Sequence, residues 1–179
     1  MKVLLTLVGL LFFFSVNAQY EHGTVYFKDG QTKDGLIKKG FFGGIKFKKN
    51  EESEKFTYNY EDITGYDTNS GYFRYKNEEN AGLKLYELIA IGNYNLYSQE
   101  RSNPPVIDAN GVFTHMGGSI IIYFLEIDNN FFRLGTKIKK RHLVFFEDCS
   151  LLMNKIRKRI IKRRHVYDVI DFYNRKCNQ

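Results

Sequence analysis

Residues 23–66 read GTVYFKDGQTKDGLIKKGFFGGIKFKKNEESEKFTYNYEDITGY. Apolar and polar residues alternate in short runs, cut by Asp29-Gly30, Asp34-Gly35 and Gly43-Gly44. A period of two sends successive side chains to opposite faces, and Asp-Gly tolerates the positive φ that a tight hairpin needs. The stretch therefore reads as antiparallel strands joined by short turns, not as helix. The pattern predicts strands over 24–28, 36–37, 44–48, 56–60 and 64–66, with turns at each of the three glycine signals.

The sheet is expected to continue. Residues 72–76 form a short strand and 77–82 a polar loop. The apolar run 83–91 is flanked by Gly82 and Gly92, which favours a central strand. Residues 93–98 pair with it. Residues 100–118 carry both prolines, Pro104 and Pro105, and read as one long loop. A last hairpin runs over 119–127 and 131–134, turning at Asn129-Asn130. Beyond Gly135 the period changes. Ile138, His142 and Phe145 or Phe146 share a helical face, and Leu152, Ile156 and Ile160 recur every four residues. Asp148 is the expected cap of that second helix. A third helix begins near His165, with Val166, Val169, Ile170 and Tyr173 as its apolar stripe. The predicted fold is α+β: an antiparallel meander of roughly eight to ten strands, curved or partly closed into a barrel, with two or three C-terminal helices.

The N-terminus has the form of a secretory leader. Met1-Lys2 precedes a run over 3–16 that is almost entirely Leu, Val and Phe, and Val16-Asn17-Ala18 suits signal peptidase. Cleavage is expected between Ala18 and Gln19. The run falls short of the roughly 18 to 20 residues a spanning helix needs. The working chain is then one domain, residues 19–179, with strands over about 20–135 and a basic helical cap over 136–179. Its expected location is periplasmic or extracellular, with no transmembrane span. In such an oxidising compartment Cys149 and Cys177 are expected to pair across the cap. Two buried thiols and an intermolecular bond are the alternatives. Two Cys without nearby paired His do not make a zinc site.

The motifs of catalysis are missing. His22, His115, His142 and His165 are far apart, and there is no HExxH pair and no G-x-S-x-G elbow. Glu61-Asp62 and Glu147-Asp148 are sequence neighbours, which point in different directions and suit turns and caps better than paired acid–base work. Gly40, Gly43 and Gly44 lack the Lys-Ser or Lys-Thr of a phosphate loop. No catalytic, metal-binding or cofactor-binding residue is assigned, and no cofactor is expected.

The compositional outlier is the cap. The chain carries a formal charge of +7, and eleven Lys and Arg fall within residues 137–164. Lys155, Arg157, Lys158, Arg159, Lys162, Arg163 and Arg164 are the candidate patch for an anionic envelope component or another envelope protein. A solvated outer helix face is the alternative. Nucleic acid suits the charge but not the compartment, and no recognition motif accompanies it. Tyr58, Tyr60, Tyr72, Tyr75, Tyr94 and Tyr97 are candidates for an aromatic strip on the sheet, for packing or for a sugar or peptide.

GTVYFKDG with a following GLI, then IKFK, EDITGY after Tyr60, LYELIAIGNYNLY, EDCSLLMNKI and VIDFYNRKC occur in an order that resembles a family of uncharacterised secreted proteins of Bacteroidota-type bacteria. The resemblance implies export, a β-rich body and a helical cap with paired Cys, and supplies no activity. Family members commonly have proline after the first Cys, where this chain has Ser150. The expected role is an exported, non-catalytic binding or interaction module. The alternatives are an envelope-polymer hydrolase with 104–118 as a lid, and a small-ligand carrier with a β-barrel cavity.

Overall fold

The computed structural model describes residues 20–40, 43–78, 81–115 and 117–177. The expected leader and its cleavage point lie outside them. Twelve strands are described: β1 (Glu21–Phe27), β2 (Thr32–Lys39), β3 (Ile45–Lys48), β4 (Phe56–Tyr58), β5 (Ile63–Thr68), β6 (Gly71–Glu78), β7 (Gly82–Ala90), β8 (Asn95–Asn103), β9 (Val106–Ile107), β10 (Phe113–His115), β11 (Gly118–Ile127) and β12 (Asn130–Gly135). A 3-10 helix (Lys140–Phe146), α1 (Ser150–Arg157) and α2 (Val166–Lys176) follow. This is the expected α+β architecture, with a sheet that curves strongly but does not close.

Ten strands form one antiparallel sheet in the order β12-β11-β8-β7-β6-β5-β1-β2-β3-β4. It is not a simple meander, because β1 sits between β5 and β2. The expected loop over 100–118 is also different. Residues up to Asn103 belong to β8, and β9 and β10 make a small separate hairpin. Strand pairing outweighs the polar sequence there, since β8 pairs with β11 from Asn95 to Asn103.

Turn chemistry explains the connections. The β1–β2 hairpin has a three-residue loop: Gly30 donates to the Phe27 carbonyl at 3.2 Å and takes φ +85°. That is a type I turn followed by a left-handed glycine, not the two-residue turn that Asp-Gly suggested. Asp34-Gly35 is not a turn at all; it lies inside β2, paired with Thr24 and Gly23. A Cβ on Gly35 would sit 2.3 Å from the Lys48 carbonyl oxygen and 2.7 Å from the Phe47 ring. Glycine inside a strand here marks close approach of neighbours. The β11–β12 turn uses Asp128 and Asn129, both at positive φ, one residue earlier than expected.

Residues directly opposite one another in an antiparallel pair share a face. One face of the β1–β6 half collects Val25, Ile37, Ile45, Phe47, Tyr66 and Phe73, which with Ile63 form a buried cluster. The same face continues through Leu96, Leu125 and Leu134, and there the helices cover it with Phe146, Leu152, Val166, Val169 and Ile170. The opposite face of β7, β8, β11 and β12 curls around Tyr86, Leu88, Tyr97, Ile122, Phe124 and the partly buried Phe131. The concave interior is thus filled by side chains.

Three contacts fix the cap. Tyr94 stacks on Tyr173 at 4.1 Å and donates to the Phe145 carbonyl at 2.6 Å. Asn174 holds the Tyr94 peptide from both sides, accepting from its N–H at 3.0 Å and donating to its carbonyl at 2.8 Å. The Cys149–Cys177 disulfide, with Cα atoms 5.5 Å apart, joins the start of α1 to the end of α2. Asp148 is not the cap of α1. Cys149 holds that place, its sulfur accepting from Leu152 N–H, while Asp148 accepts from the Tyr173 hydroxyl at 2.6 Å. Nor does Ile160 extend the apolar stripe of α1, which ends at Arg157. Among the described residues no helix is long and apolar enough to cross a membrane.

Two outcomes test this packing. Replacing both cysteines by serine should cost about 3 kcal/mol of stability, the loop-closure value for a bridge of this span, measured by urea unfolding of the non-reduced protein. Gly35→Ala should cost about 1–3 kcal/mol in the same assay, because Phe47 and the Lys48 backbone must move. An unchanged midpoint would show that the strands yield freely there.

Candidate functional site

The concave face of the sheet carries the buried charges. Glu126 on β11 is 8% exposed and accepts from the Tyr97 hydroxyl at 2.7 Å, from Asn95 at 3.2 Å and from the Lys76 ammonium. Glu78 on β6 accepts from the Tyr86 hydroxyl at 3.0 Å and pairs with Lys84 and Arg101, both at 3.1 Å, and with Arg133 at 3.9 Å. Burial alone would raise both carboxyls, but these donors outweigh it and hold each below the ordinary glutamate value. Burial first, then the carboxylate neighbour, pushes the Tyr86 and Tyr97 phenols upward. The carboxylates stay charged and the phenols stay protonated. Each carboxylate has its charge matched by donors within the fold, which suits a structural role.

The four histidines are spread over separate elements. His22 lies on β1, His115 on β10, His142 in the 3-10 helix and His165 before α2. Burial, then Arg141 and Lys139, lowers His142. Among the described residues no group of three or more His, Cys, Asp or Glu is arranged to hold a metal ion. The six tyrosines do not form a strip. Tyr97 is buried in the concave core, Tyr94 is packed under α2, and Tyr75 and Tyr72 point to opposite faces of β6. Burial pushes Tyr75 up to about 12.

The cap does gather a site. Arg157, Arg159, Lys162, Arg163 and Arg164 line one shallow groove of about 490 Å³. Its floor is apolar: Ile138, Ile156 and Ile161. Lys137 completes the cationic rim. Of the seven expected patch residues, Lys158 does not line the groove, and Lys155 sets its ammonium 5.5 Å over the Phe172 ring. Lys137 belongs to the basic run over 137–164 but stood outside the expected patch, and the isoleucines were not visible as its floor in sequence. A backbone hydrogen bond from Ile138 to the Arg163 carbonyl, 2.9 Å, joins two segments 25 positions apart.

The end of α1 shapes the rim. Arg159 N–H donates to the Ile156 carbonyl at 3.0 Å and Ile160 N–H to the Lys155 carbonyl at 2.9 Å. This pair of bonds is a Schellman termination, whose left-handed position normally takes glycine. Arg159 occupies it at φ +59°. No carboxylate lies within ion-pair distance of Lys137, Arg157, Arg159, Lys162, Arg163 or Arg164 among the described residues. Arg164 instead places Nε 3.2 Å from His165 Nε2. The arrangement has the chemistry of an anion site. No family model, curated protein or solved structure matches this chain, so its own geometry carries the functional reading.

The concave charge set makes a pH prediction. A carboxyl held low in the native state adds stability above its unfolded value, and that stability is lost as pH falls through the lowered native value. Glu126→Gln should therefore cost about 1–3 kcal/mol at neutral pH and much less near pH 3. Urea unfolding at both pH values checks this; an equal cost at both would mean that charge on Glu126 is irrelevant.

Proposed function

We propose that this chain is an exported, non-catalytic module that binds an anionic partner through the basic groove of its helical cap. One observation carries the reading: six cations surround one groove with an apolar floor, and among the described residues no carboxylate pairs with them. Like charges on a protein surface repel one another, and a surface that leaves them unneutralised gains from an incoming anion. The fully engaged glutamates of the concave face, by contrast, have their partners already.

Export rests on the leader pattern of residues 1–18 and on the resemblance to secreted proteins of Bacteroidota-type bacteria. The disulfide supports it, because such bonds persist in oxidising compartments. An anionic envelope component is the partner class that suits this location and this charge.

The binding test uses inorganic polyphosphate as the probe. The disulfide-bonded protein should bind it at low ionic strength and release it as salt rises toward physiological values. Neutralising Arg157, Arg159, Lys162 and Arg164 together to Gln should weaken binding by at least about tenfold. Neutralising Lys46, Lys48 and Lys49 on the far side of the sheet should change it by less than about twofold. Equal losses from the two sets would reduce the groove to a diffuse effect of net charge.

A further inference from the structure

Ile160 stands 64% exposed in the turn that ends α1. Both of its neighbours, Arg159 and Ile161, line the basic groove, and Lys162, Arg163 and Arg164 follow directly. We infer that the groove's anionic partner is the headgroup layer of a negatively charged bilayer, into which Ile160 inserts. This deepens the anion-binding reading and rests on it.

Different anions would need different partners from this surface. A soluble polyanion is satisfied by cations alone, and an exposed isoleucine between them gives it nothing. A bilayer surface offers both phosphates and, just beneath them, acyl chains. Interfacial segments of proteins combine basic residues with an apolar residue that enters the headgroup–acyl boundary. The long stems of Arg and Lys let the charges stay among phosphates while the apolar group goes deeper. Each basic residue close to an anionic leaflet multiplies partitioning several-fold, so a rim of six supplies ample attraction.

The turn is also held in place before any membrane arrives. Ile160 N–H and Ile161 N–H both donate to the Lys155 carbonyl, at 2.9 and 3.3 Å. Arg163 is fastened to Ile138 through its carbonyl. The disulfide closes the segment containing the whole turn, from Cys149 to Cys177. A preorganised tip loses little freedom on docking. The acids nearest in sequence, Asp148 and Asp168, do not line the groove: Asp148 accepts from Tyr173, and Asp168 lies 3.4 Å from His165.

The test compares two anions on the intact, disulfide-bonded protein at low ionic strength. One is vesicles containing about one-third phosphatidylglycerol in phosphatidylcholine; the other is inorganic polyphosphate. Wild type should co-sediment with the anionic vesicles and not with phosphatidylcholine alone. Ile160→Ser, at an exposed position that leaves the core untouched, should weaken vesicle binding about tenfold and polyphosphate binding by less than about twofold. The chain has no tryptophan, so Ile160→Trp gives a single reporter whose emission should shift to the blue on vesicle addition. Polyphosphate binding without vesicle binding would overturn the membrane assignment and leave the anion site standing. So would equal vesicle binding by wild type and Ile160→Ser, or an unshifted emission from the Ile160→Trp variant. Failure to bind either anion would overturn both readings.

Discussion

Glu126 receives hydrogen bonds from Asn95 and Tyr97 on the neighbouring strand β8 and an ion pair from Lys76 on β6, two strands further on. In a flat sheet β6 and β11 would lie about 14 Å apart, three spacings of some 4.8 Å. The bend of the sheet brings the two side chains together across that gap. Arg133 and Glu78 repeat the arrangement between β12 and β6. The C-terminal half is therefore a trough whose rim is drawn together by side chains instead of by a closing ladder of backbone hydrogen bonds. Its aromatic filling makes the bend favourable, since Tyr86, Phe124 and Phe131 meet at centroid distances of 4.7 to 5.2 Å.

That bend decides where everything else can go. With the concave side filled, the convex side of β8, β11 and β12 is left to pack Leu96, Leu125 and Leu134, and only the helical cap reaches them. The cap is too short to hold itself together by helix propensity, as isolated helices of this length are marginal in water. It is held by Tyr94, Asn174 and the disulfide. The cations of the cap then face solvent because the apolar stripe of α2 and Leu152 of α1 face the sheet.

Much of this was legible from residue order. Alternation located most strands, and the stripe Val166, Val169, Ile170 and Tyr173 marked the buried face of α2. The failures have physical causes. Gly35 has the sequence of a turn, yet its missing side chain serves packing against Phe47. β5 leaves the meander order, passing over β4 to give β1 its second ladder, a long-range choice that no local pattern encodes. Asp148 is a better cap than Cys149 by chemistry alone, but the Tyr173 hydroxyl claims it. The basic run was plain in sequence, whereas its apolar floor was not, since Ile138 joins it only through tertiary contact.

The backbone of Arg159 sets shape against charge at a single residue. Glycine would sit there with less conformational strain, because a left-handed φ crowds any Cβ against the chain. A glycine would also remove one of the cations around the groove. Arg159→Gly would therefore ease the backbone at this corner and thin the positive charge around the groove in one step.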